Sequence, residues 1–245
     1  MNNLRPSSLQ SMTLLIRQYL IQNGKMFLVS IAVFIAGVFV VLYSIQRYTR
    51  FDTWTHKNFV TVFMPVFIVL AVLYAGTSFP GLRSKDRAIQ YLMLPVSTRQ
   101  KFWFELFTRI VLFVMLMPSL FWVSFYVEGQ LVALVHPEFT FQSFSFLDGF
   151  NGPSRYQNIL VMTFVISHAM LFLTFPFFGA TVFMKNQIIK TVAWGFGLLF
   201  GFFILFHDFI ETIPKQHMQE FTGFIILLNI ALVVLAYFRL KNKQV

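Results

Sequence analysis

Three ionisable side chains at helical spacing, Lys101, Glu105 and Arg109, are the strongest candidates for chemistry in this chain of 245 residues. Separations of four place them on one helical face, where opposite charges pair. They stand at the head of a long apolar run. Charges at that depth require partners or a path to water, so the trio reads as a structural pair, a lining of a subunit interface or a contact for substrate. His168, beside Ser167 in another apolar run, adds a third member to a candidate intramembrane polar cluster of Glu105, Arg109 and His168. Its imidazole suits an interhelical hydrogen bond or a proton relay. His207, Asp208, Glu211 and His217 are residue types that bind zinc. They match neither H-E-x-x-H nor H-x-x-E-H, and a solvated loop accounts for them, so no metal site is assigned. Cys is absent, which excludes disulfides, thiolate metal sites and Cys nucleophiles. The chain also lacks the G-x-x-x-x-G-K-[ST] loop that cradles nucleotide phosphates. It is therefore not read as an enzyme, and it is expected to bind no cofactor directly.

The medium that must position these groups follows from composition. Hydrophobic residues make up 57%, aromatic residues 19% and charged residues 11% of the chain, against roughly 25% charged in a soluble domain. Mean hydropathy is +0.70. Six apolar runs approach the roughly 20 residues that a helix needs to cross a hydrocarbon core about 30 Å thick: Met26–Ile45, Phe59–Phe79, Phe102–Val127, Ile159–Phe178, Ile188–Phe206 and Phe221–Phe238. The runs are continuous and do not alternate as barrel strands do. The fold class is thus an all-α polytopic membrane protein with six transmembrane helices over residues 26–238. Ahead of them, residues 1–25 hold Leu9, Met12, Leu15, Ile16, Tyr19 and Leu20 at helical spacing. That pattern predicts an N-terminal interfacial helix; it also allows an extension of the first span.

Lys and Arg set the orientation. An N-terminus in the cytoplasm places Arg5, Arg17, Lys25, Arg83, Lys85, Arg87, Arg99, Lys101, Lys185, Lys190, Arg239, Lys241 and Lys243 inside, and Arg47, Arg50, Lys57, Arg155 and Lys215 outside. This split obeys the positive-inside rule. It leaves both termini, including the 239–245 tail, cytoplasmic, and most acids, Glu128 among them, outside. The net charge of +10 is accordingly a topology signal, and nucleic acid is not an expected partner.

The most basic segment, residues 81–101, lies between the second and third spans. Ser84–Met93 can form a short helix with Ile89, Leu92 and Met93 on one side and Lys85 and Arg87 toward the other. Pro95 ends it. Ser97 then begins a new helix, with Gln100 completing a Ser-x-x-Gln capping box. A basic loop meeting anionic lipid heads is the plain alternative.

The stretch "LMLPVSTRQKFWFE" resembles a segment in permease subunits of the ABC exporter superfamily that moves drugs, lipids and polysaccharides, through Leu94, Pro95, Val96, Ser97, Arg99, Gln100, Lys101 and Phe102. The resemblance implies a coupling helix within 81–101 that touches a separate ATPase subunit, with Lys85, Arg87, Ile89, Leu92, Met93, Pro95, Ser97, Arg99 and Lys101 as partner-coupling residues. It further implies ATP and Mg on that partner, a second permease copy or a related permease, and residence in a bacterial inner membrane among its lipids. The segment "HDFIETIPKQHMQE" departs from the family, which often folds two small helices into the membrane there. The alternative readings are a secondary transporter and a structural membrane component that works without an ATPase.

Overall fold

A computed structural model describes residues 8–49, 53–80, 96–136, 140–142, 155–183, 186–197 and 218–242. Its long elements are helices: α1 (Ser8–Thr49), α2 (His56–Gly76), α3 (Thr98–Leu106), a π-helical turn (Phe107–Val111), α4 (Leu112–Val135), α5 (Arg155–Val182) and α7 (Met218–Asn242). Residues 187–197, here α6, are also helical. Two short strands, β1 (Thr53–Trp54) and β2 (Thr140–Phe141), pair in parallel. Five helical stretches among the described residues are long and apolar enough to cross a membrane: Phe27–Tyr48, Asn58–Gly76, Thr98–Val135, Met162–Val182 and Gln219–Asn242. The protein is an all-α polytopic membrane protein. α6 covers the first part of the remaining expected span, and residues 198–206 lie outside the described residues.

The amphipathic N-terminal segment is helical and joins the first span without a break. Gly24 stands at the junction, but one helix glycine costs only about 1 kcal/mol, too little to end a helix of 42 residues. At about 1.5 Å per residue α1 is roughly 63 Å long, about twice the hydrocarbon thickness. The stretch that carries exposed Ile16, Arg17, Ile21 and Lys25 therefore extends past the span on the same rod. Its exposure is consistent with an interfacial helix, and its unbroken join to the span matches the extension that the periodicity also allowed.

The chain divides into two compact units, residues 1–67 with 112–149, and residues 68–111 with 150–245. In the first, Phe59, Phe63 and Phe67 recur every fourth residue along α2. Phe59 and Phe63 stack edge-on against Phe121 with centroids 5.4 and 5.3 Å away, and Phe59 meets Phe125 at 5.3 Å. α2 begins at a local cap in which the amide and hydroxyl of Thr55 donate to Asn58 Oδ1. Pro65, Pro118 and Pro176 lie inside α2, α4 and α5, as membrane helices tolerate. Strand pairing of Thr53 with Thr140 and Trp54 with Phe141 joins the connection after the first span to the connection after the third. Two crossings separate them, so the alternating topology requires that they share a side.

Glu128 was expected in an outer loop. It instead lies inside α4, which runs to Val135, and it is fully buried. The Gln46 amide donates to its Oε2 at 3.0 Å, which lets a charged residue occupy a helical position that hydropathy alone marks as a span end. Next to it, Gly129 has no room for a Cβ because the Phe141 ring rests on it. Phe141 also meets Tyr126 edge-on at 5.2 Å, so β2 is seated on α4.

In the second unit α5 and α7 form the main helix pair. Asn229 is its polar centre: it accepts from the Thr174 hydroxyl at 2.6 Å and donates to the carbonyls of Ser167 at 3.0 Å and Ile225 at 2.9 Å. α6 lies close on α5, where Gly179 admits the Thr191 side chain and the Gln187 amide donates to the Ala180 carbonyl.

Candidate coupling site at the start of the third span

α2 ends through its own polar residues. Thr77 and Ser78 donate hydroxyl and amide hydrogens to the carbonyls of Tyr74 and Ala75, which lack partners further along the helix. Phe79 then takes a left-handed conformation, φ 54. For a residue with a Cβ this costs on the order of 1–3 kcal/mol, and it is held by complete burial. Its ring contacts Phe177 of α5 at 5.2 Å.

The chain becomes described again at Val96. Ser97 and Gln100 form the expected capping box: Ser97 Oγ accepts from the Gln100 amide, and the Ser97 amide donates to Gln100 Oε1 at 3.1 Å. Phe102 follows, buried against the same Phe177 at 5.8 Å and against Tyr237 of α7 at 5.3 Å. Phe79 and Phe102, which flank the segment outside the described residues, thus meet the same ring of Phe177.

Behind this aromatic anchor stand the charged residues. Lys101 and Glu105 are buried. Arg109 Nε donates to Glu105 Oε2 at 3.4 Å, and Arg109 Nη1 to the Thr77 hydroxyl at 3.4 Å. The guanidinium carbon lies 4.8 Å from the centre of the Tyr74 ring, within cation–π range. The Tyr74 hydroxyl donates to the Thr108 carbonyl at 3.3 Å. Thr108 and Arg109 belong to the π turn, a distortion that widens the helix and recurs at functional sites. One guanidinium therefore ties the start of the third span to the end of the second.

Of the residues singled out in the sequence, Glu105 and Arg109 come together as the i,i+4 pair. Ser97 is exposed and acts as a cap, Arg99 is exposed, and Lys101 is buried one turn before Glu105. Lys85, Arg87, Ile89, Leu92, Met93 and Pro95 lie outside the described residues, as do His207, Asp208, Glu211 and His217. His168 makes its bond within its own helix, not between helices: Nδ1 lies 2.8 Å from the Phe164 carbonyl. Because a carbonyl only accepts, that nitrogen carries the hydrogen. The ring also contacts Phe164 and Phe221, at 4.1 and 5.7 Å. Tyr74, Thr77, Phe79, Phe177 and Tyr237 were not anticipated. Thr77 and Ser78 after an apolar run carry a legible helix-stop signal, whereas the ring partners have no sequence signal of their own.

Comparison with protein-family profiles, curated proteins and solved structures finds no match. The fold and the site define a multi-span all-α membrane protein of a form consistent with transport.

Proposed function

We propose that this chain is the membrane-spanning permease subunit of an ATP-driven ABC-type transporter, an exporter, working with a separate ATPase subunit. The observation that carries the reading is the meeting of Phe79 and Phe102, which flank the basic segment, on the one ring of Phe177. The Arg109 bonds to Glu105 and Thr77 reinforce it from behind. Flanks packed on one ring give a push on the intervening segment a fixed point of entry into the second and third spans. The sequence around Pro95 and Ser97 supports docking of an ATPase there, on the cytoplasmic side of a bacterial inner membrane. The partner supplies ATP and Mg, and a second permease copy or a related permease completes the pathway.

The test is purification in mild detergent followed by identification of copurifying proteins and measurement of ATP hydrolysis. A stoichiometric partner with a phosphate-binding loop, whose activity is lost when its loop Lys is replaced, supports the proposal. A chain that purifies without such a partner and transports without ATP overturns it. A second reading, an ion-coupled secondary transporter, draws on the buried carboxyl of Glu128, because ionisable groups within spans mark ion pathways. It requires gradient-driven uptake in ATP-free vesicles that Glu128→Gln abolishes.

A further inference from the structure

The end of the bundle where α3 meets α7 carries cations outside the Arg109–Glu105–Thr77 network. Arg99 on α3 is exposed, and so are Arg239 and Lys241 in the last turns of α7. Contact of Phe102 with Tyr237 at 5.3 Å brings these two helix ends together. Among the described residues, no exposed carboxylate lies at this end. Glu105 is buried and bonded to Arg109, and Glu220 is at the opposite end of α7.

Large apolar side chains flank the cations. Trp103 is 51% exposed, one turn after Arg99, and Phe238, beside Arg239, is 52% exposed. The exposed positions 99, 103 and 107 form one stripe along the third-span helix, from a charged end to an apolar flank. A charged end followed by a Trp is what the boundary between headgroups and hydrocarbon selects.

We infer that this end of the bundle binds an anionic phospholipid, its phosphate held by Arg99, Arg239 and Lys241 and its acyl chains lying along Trp103 and Phe238. Cations on two adjoining helices, with no exposed acid among the described residues to neutralise them, supply the attraction. The aromatic flank distinguishes a lipid from a soluble anion. Each basic group near an anionic leaflet contributes a factor of about five in local lipid occupancy. The inference does not rest on the ATPase reading and holds for any transporter or structural component built on this fold.

The experiment keeps Trp103 as the only tryptophan by replacing Trp54, Trp122 and Trp194 with Phe. The protein is reconstituted into phosphatidylcholine vesicles that carry a small fraction of phosphatidylglycerol brominated on its chains, or the same fraction of brominated phosphatidylcholine. The anionic quencher is expected to act several-fold more strongly, and strong salt to reduce the difference. Arg99→Gln with Arg239→Gln and Lys241→Gln should bring the two quenchers level while leaving quenching by brominated phosphatidylcholine unchanged. Equal quenching in the starting protein overturns the inference, as does a preference that survives the triple substitution. Loss of the preference on adding soluble glycerol phosphate would assign the site to a free anion and likewise overturn it. Should the single-tryptophan chain not insert, native mass spectrometry of the unaltered protein provides the readout. Retained phosphatidylglycerol that disappears in the triple variant supports the site, and equal retention refutes it.

Discussion

Replacing Arg109 with Met keeps the aliphatic stem and removes the charge that joins the second and third spans. The pair it forms with Glu105 is 3.4 Å long, with the two side chains 12% and 10% exposed. At an effective dielectric of about 20, charges at that separation attract by about 5 kcal/mol. Desolvation of both groups offsets most of this. The contact with Tyr74 adds about 0.5–2 kcal/mol, and the Thr77 bond, long at 3.4 Å, adds less. Arg109→Met is therefore expected to destabilise the protein by about 2–3 kcal/mol, because Glu105 loses its guanidinium in a medium that penalises charge. Glu105→Gln should cost about 1 kcal/mol, since a neutral amide still accepts from Arg109. In the double variant the penalties should not add, and a coupling of about 1–2 kcal/mol is expected. The assay is reversible unfolding in mixed micelles, followed by tryptophan fluorescence, for the complete double-mutant cycle. Additivity within about 0.3 kcal/mol would refute the claim that the pair stabilises this joint.

Gln46→Leu removes the amide that donates to buried Glu128 and should cost about 1–3 kcal/mol, measured by the same unfolding assay; Glu128→Gln in that background should recover part of the loss. Gly129→Ala forces a Cβ into the Phe141 ring and should displace β2. With Cys introduced at Thr53 and Thr140, which are register partners, oxidative cross-linking should be efficient in the parent and fall in the Gly129→Ala variant, with undiminished cross-linking as the contrary result. Asn229→Leu deletes two hydrogen bonds between α5 and α7 and one within α7, the interhelical ones each worth roughly 0.6 kcal/mol in a membrane. A total loss of about 1–2 kcal/mol is expected, and an unchanged unfolding midpoint would show that the network is dispensable.

Local rules account for what was legible. Hydropathy located the spans because a lipid-facing helix must be apolar over nearly its whole length. The Ser97–Gln100 box and the Glu105–Arg109 pair were readable because each depends on residues three or four apart, a spacing the helix itself enforces. What required the structure depends on residues distant in the chain. Glu128 marks a span end by its charge, whereas in the fold α4 continues past it and the residue bonds to Gln46, 82 positions away. Similarly, the Phe residues at 59, 63 and 67 announce an aromatic face but not its partners Phe121 and Phe125. The unbroken join of Ser8–Lys25 to the first span was one of two readings that the periodicity allowed, and the sequence did not decide between them. Gly24 reads as a weak point, yet a helix continues through a single glycine when both sides favour it.

The joint between the second and third spans gains its stiffness from several weak contacts acting in parallel. Polar bonds between membrane helices are individually small, so one Arg109–Thr77 bond would not make two helices move as one. Here the bond works beside a cation–π contact, the Tyr74–Thr108 bond and the meeting of Phe79 and Phe102 on Phe177. Three of these contacts fall on the π turn, where a widened helix offers its Thr108 carbonyl to a hydroxyl from outside the helix. Under the ATPase reading, a displacement applied to the intervening segment would enter the spans through these contacts. Cutting any one contact should then weaken transmission in part. Separating Phe79 and Phe102 from Phe177 together should weaken it more than cutting any one contact, because among the described residues these two ring contacts hold both flanks of the segment on one side chain.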